Sequence, residues 1–357
     1  METLTRARKL VADDSMSESL LKIARCNEEA IRYFSLTKYS SDDVLKVGAA
    51  MNEEWMFAIV NFKGQGQMDF TVSQKTWERQ EGHYPTIMGL CQALSQSEDL
   101  FPLVGSVMIW LEDGMWPWLQ HHAWRVPIFA FGKDVSDRQT LLIPDPAYLG
   151  SAGYVKEKER AELASAEIPW SKRIPATFWR GAATGGGMEN VHYWESTPRG
   201  RLVLKAKEIS DYRILDARIT KIGHLPDEMQ ETLLDAGVLS EEVPFEHFFN
   251  YRYLVDADGY HCAWKSLFMK LISGSVVLKI ESPLEQWYHR ELVPWKHYIP
   301  LARDLGDFRQ VAEWLRAHDR EARHIALDGA EAARKITFEK SVREVVAVFV
   351  AALNCQK

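Results

Sequence analysis

The sequence predicts an α/β protein built mainly on parallel sheets. Short apolar, β-branched runs such as LVGSVMIWL (103–111), RVPIFAF (125–131) and VVLKI (276–280) alternate with amphipathic helical segments. The stretch Tyr251–Leu301 contains a complete strand–helix–strand unit. The chain has 357 residues, 46% of them hydrophobic and 26% charged, which suits two globular domains.

The strand–helix–strand unit organises the rest. Tyr251–Asp256 reads as a buried strand, and Asp258-Gly259 as turn chemistry in which glycine takes a left-handed backbone without steric cost. Trp264–Ile272 places Leu267, Phe268, Leu271 and Ile272 at helical spacing, and Gly274 ends that helix. Val276–Ile280 is a second buried strand, apolar apart from Lys279. Parallel units of this kind present ligands at the carboxyl ends of their strands. Here those ends carry Asp256, Asp258, Trp264, Lys265, Glu281 and Ser282.

The remaining elements follow in order. Ser17–Phe34 is amphipathic and helical, and Gly64-Gln65-Gly66 joins strands Trp55–Phe62 and Gln67–Val72 in a hairpin. Pro85–Leu94 is a helix, and Leu103–Leu111, Arg125–Phe131 and Thr140–Ile143 are strands. The charged segment Lys156–Ala166 leads to a domain boundary near Ile168-Pro169. Beyond it come strand Ile174–Trp179, helix Arg199–Glu208, strand Arg213–Ala217 and helix Pro226–Ala236. After the organising unit come strand His297–Leu301 and helices Phe308–His318, Arg320–Ala333 and Glu339–Leu353.

Composition excludes several classes. Lys+Arg 43 against Asp+Glu 50 leaves −7, the wrong sign for sequence-independent nucleic-acid binding. Cys26, Cys91, Cys262 and Cys355 are widely spaced, without CxxC or His–Cys clustering, and read as reduced thiols of a cytoplasmic protein. His121-His122 lacks a partner pair at metal-ligand spacing. The N-terminus does not read as a secretory signal, and no apolar run is long enough to span a bilayer. The expectation is a cytoplasmic protein, with at most peripheral contact at the inner face of a membrane.

Four places carry chemistry. Asp113 follows an apolar strand and precedes Gly114; a carboxylate there suits a general base, or simply caps a turn. Trp116 and Trp118 follow closely and suit an acceptor groove. Arg180, Gly181 and Thr184 lie in FWRGAATGGG, where glycines free backbone N–H groups for an anion and the arginine adds a donor fork, although no Walker pattern is present. Lys265 and Ser266 open a helix whose N-terminus favours phosphate, with Trp264 before them; Glu281 suits ribose hydroxyls, or is a solvated loop acid, and Ser282 follows it at the same donor-side strand end. Asp256-Ala257-Asp258 reads in two ways, as a DxD metal motif or as a strand end followed by a turn.

The strings FWRGAATG (178–185), YRYLVDADG (251–259), WKSLF from Trp264, SGSVVLKIES (273–282), QWYHRELVPWKHYIPL (286–301) and Asp304-Leu305 together resemble glycosyltransferase family 90. That family holds lipopolysaccharide- and capsule-modifying transferases and the Rumi-type protein O-glucosyltransferases. The resemblance implies a GT-B fold, two Rossmann-like domains facing a cleft. The first would be an acceptor-side domain over 1–168, the second a donor domain over 169–338, closed by a C-terminal helix over 339–357. It implies inverting, metal-independent transfer from a UDP-sugar, glucose or xylose favoured, with no cofactor, to a glycan or lipid-linked saccharide. Asp113 matches the family's base and Arg180 its diphosphate-binding arginine. Trp264-Lys265 stands where Rumi-type members carry an arginine-rich segment, and Ala183 where a second arginine is common. The missing signal sequence points to the bacterial lipopolysaccharide-type branch. The rival readings are a metal-dependent transferase using Asp256 and Asp258, and a non-catalytic nucleotide- or carbohydrate-binding protein.

Overall fold

The computed structural model describes residues 26–79, 83–95, 97–115, 125–223 and 225–357. The chain forms two compact units. One comprises Met1–Val155, Pro283–Arg290 and Ile336–Lys357; the other comprises Lys156–Ser282 and Glu291–Lys335. The expected boundary at Ile168-Pro169 therefore falls after the Val155/Lys156 division, and the segment 283–290 returns to the first unit.

The first unit holds a mixed five-stranded sheet. Its strands are β1 (Phe57–Lys63), β2 (Met68–Val72), β3 (Val104–Trp110), β4 (Ile128–Ala130) and β6 (Thr140–Leu142), in the order β2-β1-β3-β4-β6. β1 runs antiparallel to β2 and β3, while β3, β4 and β6 run parallel. The hairpin turn at Gly64-Gln65-Gly66 holds all three residues at positive φ, as its glycines predict. β4 is shorter than RVPIFAF implied, because Pro127 has no N–H for a ladder and the strand begins after it. A two-residue strand β5 (Lys133–Asp134) pairs with β11 (Leu284–Glu285), a long-range ladder with no local signal.

Helix Glu28–Thr37 overlaps the expected span and runs past Phe34, and His83–Leu94 starts two residues before the expected Pro85; Ser17–Arg25 falls outside the described residues. Helix Ser41–Met51 was not anticipated, yet Ser40 and Asp43 form a reciprocal capping box at its start. The last helix, Phe338–Leu353, buries Val342, Val345, Val346 and Phe349, and Phe349 stacks on Phe129 at 4.4 Å. Each such buried side chain contributes about 1.5–3 kcal/mol.

The second unit is built on five parallel strands: β7 (Ile174–Ala182), β8 (Leu215–Lys221), β9 (Tyr251–Asp256), β10 (Val276–Ile280) and β12 (Ile299–Leu301). Their order is β12-β10-β9-β7-β8. This is the Rossmann-like pattern the organising stretch predicts. β9, helix Lys265–Ile272 and β10 occupy nearly their expected ranges, and Gly274 closes the helix at φ 70°. β7 runs on through Arg180-Gly181-Ala182 because β8 continues to pair with it, so part of the expected glycine-rich loop is strand. One core cluster of this unit joins Trp179, Val255 and Leu278 of the strands to Leu202 and Phe308 of the helices.

All four cysteines are free and buried. Among the described residues, no helix is long and apolar enough to cross a membrane.

Candidate functional site

Because the strands of the second unit are all parallel, their carboxyl ends lie along one edge. β7 delivers Ala182, Ala183 and Thr184 there; β9 delivers Asp256-Ala257-Asp258-Gly259; β10 delivers Lys279, Glu281 and Ser282. A fourth contribution comes from helix Pro198–Ile209. Thr197 caps it by accepting the Gly200 amide at 3.0 Å, with Pro198 as its first residue, which puts Arg199 in the first turn.

Charge organises this edge. Asp256 is fully buried and takes Lys270 Nζ at 3.0 Å and Lys279 Nζ at 3.4 Å. Lys279 lies directly across from Asp256 in the β9–β10 register and also faces Asp258 at 3.8 Å. Asp258 Oδ1 accepts the Ala263 amide at 3.0 Å, which closes the loop after β9. Burial pushes the Asp258 carboxyl upward, the Lys279 ammonium opposes that rise, and the Asp256 charge adds to it. Lys270 is driven downward by burial against the pull of Asp256. Burial also acts downward on Lys279, but the two carboxylates outweigh it and hold this ammonium well above the ordinary lysine range.

Arg199 differs from the two lysines. Its Nη1 donates to the Ala182 carbonyl at 2.9 Å and to Thr184 Oγ1, and its Nε donates to the Ala257 carbonyl at 3.3 Å. Every one of these acceptors is neutral. The guanidinium also lies over the Trp179 ring at 5.9 Å, and the residue as a whole is half-buried. A Cβ on Gly259 would stand 2.6 Å from Thr184 Oγ1 and 3.0 Å from Arg199 Nη2, so only glycine fits beside this fork. Gly259 is therefore required for close approach; it is not among the positive-φ glycines, which corrects the turn explanation of Asp258-Gly259.

The other anticipated residues fall as follows. Arg180, on β7, pairs with Asp216 at 2.8 Å and lies over the Phe178 ring at 4.5 Å, so much of its fork is committed within the protein. Gly181 follows it in the strand, where a Cβ would meet the Trp179 ring at 2.5 Å. Trp264 caps helix Lys265–Ile272 at φ 43° and stacks on buried His261, with ring centroids 5.7 Å apart. Lys265 is exposed and pairs with Glu157 at 3.4 Å; with Ser266 it lines a cavity of about 190 Å³ floored by Ala161, Phe245, Phe249 and Met269. Glu281 is exposed, while Ser282 is half-buried and its hydroxyl bonds Asp258.

Asp113 belongs to the first unit, in the bend after β3, and is exposed. Its neighbours are pinned: Glu112 accepts the Met56 amide at 3.1 Å, and the Trp110 indole donates to the Gly114 carbonyl at 3.1 Å. Trp116, Trp118 and His121-His122 lie outside the described residues.

Asp256 and Asp258 fit a divalent cation poorly. Asp256 is matched by two ammonium groups and Asp258 by one together with a backbone amide. Sequence reading missed Arg199 and the roles of Lys270 and Lys279. The signals were Thr197-Pro198 as a helix start, and a single lysine inside the apolar strand β10.

Comparison with known proteins adds three findings. The profile of glycosyl transferase family 90 matches residues 106–345. Protein O-glucosyltransferase 2 of Danio rerio is 33% identical over 165 residues, 46% of this chain and 29% of the relative. Protein O-glucosyltransferase 3 of Mus musculus is 37% identical over 138 residues (39% and 26%), and protein O-glucosyltransferase 1 of Rattus norvegicus 25% identical over 220 residues (58% and 51%). The chain thus spans between about a quarter and half of the length of these relatives.

Proposed function

The chain belongs to glycosyl transferase family 90, and from that premise we propose that it moves a sugar, glucose or xylose, from a UDP-sugar to an acceptor hydroxyl. One observation carries the donor side of this reading. Arg199 is a half-buried arginine whose guanidinium donates to the neutral oxygens of Ala182, Thr184 and Ala257, at the carboxyl edge of a parallel sheet. A cation so placed suits a diphosphate. Thr184, Gly259 and Ser282 surround the same edge, and Arg180, Gly181, Trp264, Lys265, Ser266 and Glu281 complete the proposed donor region.

In this reading the acceptor oxygen attacks the anomeric carbon and the bond from that carbon to the diphosphate breaks, which inverts the centre. Asp113 takes the hydroxyl proton; its exposure and fixed neighbours suit a base that meets substrate from solvent. Negative charge passes to the UDP leaving group, where Arg199 stabilises it electrostatically. No metal enters this scheme, and the GT-B arrangement of the family resemblance belongs to it. The relatives are named as protein O-glucosyltransferases. For this chain a glycan acceptor, such as lipopolysaccharide or capsule, is the proposed class, with a protein hydroxyl as the contrasting substrate.

The test is UDP release by the purified chain given UDP-glucose or UDP-xylose, with a saccharide acceptor, a protein acceptor or none. Acceptor-dependent release supports the reading, and the better acceptor names the class. A protein that neither binds UDP nor releases it refutes it.

A further inference from the structure

Arg199 is held by a wall that it does not itself build. Ala257 accepts from its Nε, and Gly259 lies against its Nη2. Between them Asp258 turns inward, where only 3% of its side chain is exposed. Its Oδ1 takes the Ala263 amide, the Ser282 hydroxyl bonds it as well, and Lys279 faces it while also pairing with Asp256, two residues earlier. Lys270 serves Asp256 from the helix Lys265–Ile272, so Lys279 is the ammonium that Asp258 depends on.

We infer that Lys279 is a positioning residue for the donor phosphates, acting through Asp258 to hold the segment 257–259 against Arg199. This deepens the UDP-sugar reading and rests on it. Without the ammonium, Asp258 is a buried carboxylate beside a second carboxylate. It then takes up a proton or swings outward, and either response relaxes the Ala257 carbonyl and the Gly259 backbone that orient the guanidinium. Asp256 and Asp258 also act as distant counter-charges on Arg199, opposing the fall that burial imposes on its pKa. The nucleoside end of the donor gains nothing from this linkage.

The experiment measures binding of UDP and of uridine by calorimetry to the full chain and to Arg199→Ala, Lys279→Met, Lys279→Arg, Asp258→Asn and the double variant Lys279→Met/Asp258→Asn. If the wild-type chain fails to bind UDP, or Arg199→Ala binds it unchanged, the donor reading itself fails, and with it this inference. If that control holds, Lys279→Met and Asp258→Asn are each expected to weaken UDP about tenfold, the double variant no more than either, because the two residues act as one unit. Uridine affinity is expected to stay within about twofold, and Lys279→Arg to recover most of the loss. Losses that multiply in the double variant would mean that Lys279 meets the ligand directly. Equal losses for uridine would mean general loosening, and unchanged UDP affinity would mean no linkage; each of these three results overturns the inference. Should Lys279→Met fail to fold, the double variant, which removes both buried charges together, decides by the same uridine and UDP comparison.

Discussion

Two strand ends of this chain look alike on paper. β3 runs into Leu-Glu-Asp-Gly (111–114), and β9 ends at Asp256 and runs into Ala-Asp-Gly (257–259). Both follow apolar strands and both invite a catalytic or metal reading. Their fates differ. At the first, Glu112 is tied to Met56 and Lys75, and Asp113 is left exposed. At the second, both acids turn inward and are matched by Lys270 and Lys279. The role of an acid at a strand end is therefore set by which cations distant elements bring to it. An exposed acid can meet a substrate from solvent, whereas a buried and paired acid can only shape what surrounds it.

Breaking the first end should have the largest effect. Asp113→Asn is expected to lower turnover about 10³-fold while UDP affinity stays unchanged, since general-base contributions run to that order. Steady-state rates beside calorimetry check this, and undiminished turnover would remove Asp113 from the mechanism. Breaking the second end should appear in stability instead. Asp256→Ala leaves the buried Lys270 ammonium uncompensated and Lys279 with Asp258 alone, and is expected to cost about 3–5 kcal/mol in urea unfolding. A loss below 1 kcal/mol would show that the buried pairs hold little.

Smaller changes sharpen the contrast. Gly259→Ala pushes a methyl into Thr184 and Arg199, with an expected cost of about 1–3 kcal/mol and weaker UDP binding. Wild-type behaviour would mean that the close approach is not maintained in solution. Away from both ends, Cys26 and Cys91 have thiols pushed up to about 12 by burial. The folded chain then holds these protons more tightly than the unfolded one. The contribution of these thiols to stability is full below pH 9 and is lost as pH rises from 9 towards 12. Melting curves of the wild type and Cys91→Ala over that window check the slope. Least of all, Lys265→Ala removes a half-exposed surface pair with Glu157 and is expected to change stability by about 0–1 kcal/mol.

Much was legible without coordinates. The strands β3, β9 and β10, the helix Lys265–Ile272, the closing helix and the hairpin at 64–66 follow from periodicity, β-branching and glycine placement, all of which act over a few residues. The family likeness was legible for a related reason, since ordered strings such as YRYLVDADG and QWYHRELVPWKHYIPL survive as text. What the chain could not declare by itself was partnership. Arg180 and Arg199 are each an arginine near glycines, yet one is joined to Asp216 and the other faces neutral oxygens. Lys279 looked like a flaw in an apolar strand until β9 placed two carboxylates opposite it. The pairing of β5 with β11 likewise joins residues far apart in the chain. Local conformation is governed by neighbours in sequence, so it can be read in sequence. The state of a buried charge is governed by whichever charge lies a few ångströms away in space, and only the folded chain decides that.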